Sequence, residues 1–441
     1  MRWLLDLLYL GAAVVTAPVW LYRMIQTGKI RTDWAGRFGS VRPSVPVKAA
    51  PRVLVHAVSV GEVNAARELV ARLASGDSLN LPLEVIVATT PDTGFARASL
   101  IWPVGGKVRV VRYPLDFSPA VARFLRAIDP DAVVLMELEV WPNFARLCAA
   151  RGIPMGVVNG RLTQRSFQRY RKVQWIMRPA FAGLTFAGVQ NATIGQRFRE
   201  MGVSEDRVIA TGTMKWDTAF IADTVDGAEQ LSRDLGIDPT RALIVAGSTA
   251  PGEHELLHAA TPPDAQLLCA PRKPEWFEQA AAALPGCVRR SQRSRQLDTK
   301  SETLASGRRP QAANRFLLDT IGELRQAYAL ADVVVIGRSF GSLHGSDMME
   351  PVALGKAVIV GPAVSDFQDT VDALLAGGGI VQTTVAQLPR VIADLLADAA
   401  RRHELAERGR AVIRQHQGAT SRNLELIRHM LAQKQTRRPG G

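Results

Sequence analysis

Apolar positions fall into two kinds of run along this chain. One is a single long block near the start, WLLDLLYLGAAVVTAPVWLY at 3–22, broken only by Asp6 and Pro18. The other kind consists of short apolar runs separated by longer segments of helical periodicity, the pattern of buried parallel strands joined by crossover helices. In the first half these runs lie at 53–58, 84–88, 108–113, 132–136, 154–158, 185–189 and 207–210. Seven such strands with intervening helices predict a doubly wound α/β domain.

A second alternation begins at ALIVAGSTAPGEHELL and continues through QLLCAPRKPEWF. The stretch at 319–362, DTIGELRQAYALADVVVIGRSFGSLHGSDMMEPVALGKAVIVGP, reads as turn, helix, buried strand, glycine-rich loop, short helix and second buried strand. That is how an open α/β domain builds a phosphate-and-ribose site at its strand ends. Between the two alternations, TGTMKWDTAF and the polar residues to Thr240 read as a connection. The predicted organisation is therefore an apolar helix at 1–24, a first domain at 25–215, a connection at 216–240, a second domain at 241–432 and a polar tail at 433–441. A length of 441 residues fits two cores of about 200 residues each.

Charge and composition narrow the partners. The formal charge is +13, with acidic residues interspersed, so the excess reads as a basic surface facing something anionic. The segment at 289–315 is polar and basic and reads as an exposed loop. It has no interleaved aromatic residues for base stacking, which argues against nucleic acid. Cys148, Cys269 and Cys287 have neither metal-ligand spacing nor the count of a disulfide framework, and read as thiols of a reduced compartment. The apolar block is about long enough to cross a bilayer. Arg23, Lys29, Arg31 and Arg37 follow it and only Arg2 precedes it, which leaves the bulk of the chain on the cytoplasmic side. Its weakly charged start and aromatic end argue against a cleaved signal peptide, leaving an anchor or an in-plane interfacial helix.

Candidate chemistry sits at strand ends. The first strand runs into SVGE, where Ser59 and Gly61 form a turn and Glu62 lies in the first turn of a helix. A carboxylate there is ordinary capping or, at the carboxyl end of a strand, a general base. Glu137 and Glu139 alternate with Leu138 and Val140, so both project to one side if the strand continues, either as partners of nearby arginines or as site carboxylates. Asn159 and Arg161 follow the next strand, and Arg161, Arg165, Arg169 and Arg171 form a basic face suited to an anionic acceptor or to solvent. In the second half, Arg272 and Lys273 end a strand where fixed positive charge suits a phosphate.

In this order and spacing, the WAGRFG segment, SVGE, MELEVWPN, NGRLTQRS, TGTMKWD, AGS, APR, DTIGEL and EP resemble the 3-deoxy-D-manno-octulosonic acid (Kdo) transferases over nearly the whole chain. The resemblance implies a GT-B fold of two facing Rossmann-like domains with parallel sheets. It implies transfer of Kdo from CMP-Kdo to a lipid A precursor at the cytoplasmic face of the inner membrane, with inversion and with neither metal nor cofactor. Glu62 matches the family's general base. Glu137, Glu139, Asn159 and Arg161 fall on the acceptor side. Ser248, Pro271, Arg272, Ile321, Gly322, Glu323, Asp347, Met348, Met349 and Glu350 fall on CMP-binding positions. The chain departs from the family's GGHNPLEP in its HGSDMMEP: Ser346, Asp347 and Met348 replace the usual His, Asn and Pro, and Lys273 replaces a His. Three rival readings follow: a GT-B transferase with another nucleotide sugar, a catalytically silent membrane-docking protein, and a dinucleotide oxidoreductase, the last lacking a GxGxxG turn with its acidic partner.

Overall fold

The computed structural model describes residues 2–26, 28, 31–41, 48–76, 82–292 and 313–436. Most of the expected basic loop at 289–315, and the end of the polar tail, lie outside these residues.

All seven strands expected in the first half form: β1 (Arg52–His56), β2 (Glu84–Thr89), β3 (Val108–Arg112), β4 (Ala132–Met136), β5 (Met155–Gly160), β6 (Phe186–Val189) and β7 (Val208–Ala210). They make one parallel sheet in the order β3-β2-β1-β4-β5-β6-β7. Helices cover both faces, so the strands are apolar on both sides, and Val53, Leu54, Val55, Val133 and Val134 are fully buried. The second sheet comprises β8 (Leu243–Thr249), β9 (Gln266–Pro271), β10 (Val288–Arg289), β11 (Arg315–Leu317), β12 (Val333–Ile336), β13 (Ala357–Val360) and β14 (Val381–Gln382). Its order is β10-β11-β9-β8-β12-β13-β14, again parallel throughout. The 319–362 stretch folds as read, with helices Leu324–Leu330 and Met349–Ala353 around β12 and β13.

Two expectations need correction. The polar stretch 289–315 contributes strand residues at both ends, Arg289 to the edge strand β10 and Arg315 to β11 beside it, and Asp319 accepts hydrogen bonds from Arg289 Nε (2.8 Å) and Ser291 N (2.8 Å), which hold that edge to the sheet. The second correction concerns domain boundaries. One compact unit comprises residues up to Thr218 together with the chain from Gln417 onward; the other is Ala219–His416. Helix Ala228–Leu235, read as part of a connection, belongs to the second unit, and helix Ala419–Thr436, read as part of the second domain, belongs to the first. The reason is local. Asp217 of TGTMKWD accepts from Gly418 N at 2.7 Å and from Thr420 N, capping the returning helix. Asn423, fully buried, donates to Thr211 Oγ1 at 3.1 Å, and Leu424, Ile427, Met430 and Leu431 complete the apolar core under β4, β5 and β6.

The N-terminal apolar block is one helix, α1 (Arg2–Gln26), followed by the short α2 (Trp34–Arg37). The WAGRFG segment is docked on helix Ser118–Ile128: Leu115 N donates to Arg37 O at 2.8 Å, and Arg123 Nη1 donates to Phe38 O at 2.8 Å.

Candidate functional site

In each unit the strand order reverses beside its first strand, between β1 and β4 in one and between β8 and β12 in the other. Open α/β sheets bind ligands at that reversal, outside the carboxyl ends of the strands. Backbone strain marks the same edge. Among the described residues, six non-glycine residues have left-handed φ. Asp129 closes a helix, and the other five, Glu137, Asn159, Ser248, Arg338 and His344, follow β4, β5, β8 and β12 or end them. Such residues cost free energy and are retained where surrounding structure fixes them, commonly at sites.

In the first unit, Ser59 caps α3 (Val60–Ala65). Its Oγ accepts from Glu62 N at 3.1 Å, while the Glu62 carboxylate accepts from Ser59 N at 3.2 Å and Val58 N at 2.9 Å. The capping reading of Glu62 is thus realised. It does not exhaust the carboxylate, because each oxygen has a second acceptor site. Glu62 is 8% exposed at the base of an exposed turn. Gly61 is not in a left-handed conformation, and a Cβ there would meet only Ser59 Oγ at 3.7 Å, so the fold itself does not demand glycine.

The extended alternation expected for Glu137 and Glu139 is not observed. β4 stops at Met136, Glu137 turns left-handed (φ 52°), and the two carboxylates sit in different surroundings. Burial pushes the Glu137 carboxyl up, the negative charge of Glu62 adds to that, and Arg161 and Lys215 oppose it. For Glu139, burial is outweighed by His56 and by the Trp141 indole, which donates at 2.9 Å, so its carboxyl lies below the usual range. His56, fully buried and stacked on Tyr113 with centroids 3.5 Å apart, has Nδ1 2.9 Å from Ala88 O. A carbonyl can only accept, so Nδ1 carries the proton, and Nε2 faces Glu139 at 3.7 Å. Asn159 is fully buried. Its Oδ1 accepts from Met214 N at 3.1 Å and from Gln190 Nε2 at 3.2 Å, and its Nδ2 has no partner in the structure. Arg161 is exposed beyond it. Glu62, Glu137 and Arg161 therefore belong to one electrostatic group, joined by Lys215. Sequence reading did not single out Lys215 or His56. The signal for His56 was present, a lone imidazole in an apolar strand.

The second unit repeats the device at its own reversal. Glu253 occupies the position that Glu62 holds in the first, and its buried carboxylate accepts from Ala250 N (2.9 Å), Arg338 N (2.7 Å) and Phe340 N (3.1 Å). It ties the turn after β8 to the loop after β12. Gly337 permits that closeness, since a Cβ there would lie 2.4 Å from Thr249 Cα. Ser248 (φ 57°) ends β8 beside this tie, and Pro271 ends β9. Arg272 follows, exposed, with its N–H donated to Thr249 O at 2.9 Å. Lys273 pairs with Glu275 at 3.0 Å. Ile321 is 74% exposed, next to left-handed Gly322. Glu323 is held by Arg290 at 3.0 Å, and Arg290 also pairs with Asp234 at 3.0 Å. Asp347 Oδ1 accepts from Met349 N at 2.9 Å and caps the short helix in which Glu350 lies 3.4 Å from Arg325. Burial raises the Glu350 carboxyl against that arginine. The side chains of Met348 and Met349 point into the core, at 0% and 4% exposure, so only their backbone is offered to a ligand. The buried hydroxyl of Ser346 has no partner.

Two units of parallel sheet, each with its site at the strand reversal, define the GT-B architecture of nucleotide-sugar transferases. Solved structures of that kind align with most of the chain. An Anabaena HepE structure in complex with UDP has a TM-score of 0.55 at 12% identity, covering 87% of this chain and all of that one. A glycosyltransferase from Rickettsia africae has a TM-score of 0.55 at 11% identity, covering 87% and 99%. Residues 32–218 match the family model described as 3-deoxy-D-manno-octulosonic-acid transferase. The 3-deoxy-D-manno-octulosonic acid transferase of Bordetella pertussis is 31% identical over 430 residues, 94% of this chain and 96% of that protein. The Haemophilus influenzae enzyme is 28% identical over 86% and 87%. The chain belongs to the Kdo transferase family of glycosyltransferases.

Proposed function

We propose that the protein transfers Kdo from CMP-Kdo to a hydroxyl of a lipid A precursor, with inversion and without a metal, at the cytoplasmic face of the inner membrane. The observation that carries this reading is Glu62, a carboxylate fixed by two backbone N–H groups at the strand reversal with an acceptor site still open on each oxygen. As the acceptor oxygen bonds to the anomeric carbon, Glu62 takes its proton, and the bond to the CMP phosphate breaks with its electron pair leaving on the phosphate. Burial and the neighbouring charge of Glu62 push the Glu137 carboxyl up, so Glu137 holds a proton more readily than a free carboxylate does. In the second unit, Arg272 supplies exposed positive charge for the departing phosphate. Ser248, Pro271, Ile321–Glu323 and the backbone from Asp347 to Glu350 hold the cytidine monophosphate.

The test is the purified chain with CMP-Kdo and a lipid A precursor, read by product mass. Glu62→Gln keeps one carbonyl acceptor for the cap and removes the base, so transfer falls by about 10²–10⁴-fold while the fold stays intact. Failure of the wild-type protein beside an active control sinks the proposal. The orphaned Ser346 hydroxyl and the buried Met348 favour one second reading, a different nucleotide-sugar donor. Competition of CMP against UDP for the protein separates the two.

A further inference from the structure

The half-buried positions of α1 from Asp6 onward are Asp6, Tyr9, Ala13, Ala17, Trp20 and Met24. Their spacing of three or four residues is one stripe of a helix, so α1 is covered along a single side for its whole length. That side meets the first unit at both ends. Near its start, Asp6 Oδ1 accepts from Ser118 N (3.0 Å) and Asn143 Nδ2 (2.9 Å), and Tyr9 donates to Asp116 at 3.1 Å. Toward its end, Trp20 and Met24 face the first unit across a cavity of about 910 Å3 that Trp34, Leu115 and Phe117 also line. Asp6 and Met24 are about 27 Å apart along a helix axis. A helix crossing about 30 Å of hydrocarbon would carry one of those ends to the far side of the bilayer, away from the unit both ends touch. The other side of α1 is apolar and open, with Leu7, Val14, Val15, Val19 and Ile25 between 58% and 80% exposed. Exposed Arg123 and the exposed, stacked pair Trp34 and Phe38 border the cavity beside the helix, and exposed Arg31 follows it in the chain, the mixture that suits an anionic lipid headgroup layer.

We infer that α1 does not span the membrane but lies in its plane, one side docked lengthwise on the first unit and the other sunk into the headgroup and upper acyl region of an anionic leaflet. The inference rests on the membrane association proposed above and specifies its geometry. Asp6 then serves as a docking residue rather than a charge carried across hydrocarbon, where it would be costly.

The experiment uses the full chain on vesicles of phosphatidylethanolamine and phosphatidylglycerol containing chain-brominated lipids. A bimane label is placed at Leu7→Cys, Val15→Cys or Ile25→Cys, and wild type, whose Cys148 and Cys269 are buried, gives the labelling background. The expected result is equal quenching at all three positions, strongest for bromines near the headgroup, with no position reached by an impermeant thiol reagent from the opposite leaflet. Deepest quenching at Val15→Cys, with Leu7→Cys reached from the opposite side, overturns the in-plane geometry and leaves membrane association standing. Co-sedimentation with vesicles but no quenching at any position, or apolar contact with a second copy instead, also overturns it. Absence of co-sedimentation removes the membrane reading itself, and the inference falls with it.

Discussion

Asp116 shows how closely one side chain can tie a helix to its body. Burial pushes its carboxyl up to about 6, with Asp6 adding to the rise while the N–H groups of Asn143 and Phe144 and the Tyr9 hydroxyl oppose it. A folded value above the unfolded one means that this group's stabilisation is fully present below about pH 4 and is lost as pH rises through about 6. Asp116→Asn should therefore flatten the pH dependence of thermal stability between about pH 4 and 7 relative to wild type, measured by melting at each pH. At Arg272 the expectation is different: the residue is exposed, so Arg272→Ala should leave melting unchanged and lower kcat/KM for the donor, with partial rescue by lysine. Gly61→Ala should likewise leave melting unchanged, because the added methyl meets open space, and any loss of transfer then reports crowding of the acceptor. At this scale the sequence was legible where a residue ended a strand. Glu62, Asn159 and Arg272 stand where strand-end reasoning put them. The different surroundings of Glu137 and Glu139 were not legible, because a left-handed residue after an apolar strand leaves no periodic trace.

Elements were read best where apolar runs are bounded by turns, which covers all seven strands of the first sheet. They were read worst where tertiary contact alone decides: two- and three-residue strands have no pattern of their own, and those at Val288 and Arg315 form by pairing at one end of the second sheet, where Asp319 holds Arg289 and Ser291. The last helix, Ala419–Thr436, is amphipathic whichever core it joins, and its assignment follows from contacts with distant segments, Asp217 and Thr211 among them. Asp217→Ala should cost about 0.5–2 kcal/mol, the usual worth of a helix cap, and lower the melting temperature by a few degrees. Because Asp217 belongs to the first unit, the loss should appear as faster amide exchange in β4 and β5 before β8 or β12.

For the molecule as a whole, the route of the chain matters more than the count of its domains. It leaves the first unit at Thr218, builds the second entirely, and comes back at Gln417 with the helix whose Leu424, Ile427, Met430 and Leu431 finish the first core. During synthesis the second unit can therefore close on itself while the first is still missing part of its interior. At the usual pace of translation that interval lasts roughly ten seconds or more, and the nearly complete first unit spends it with the apolar underside of β4, β5 and β6 uncovered. The unit made later can thus finish first, and the species exposed during that interval carries a closed second unit and an unsealed first one.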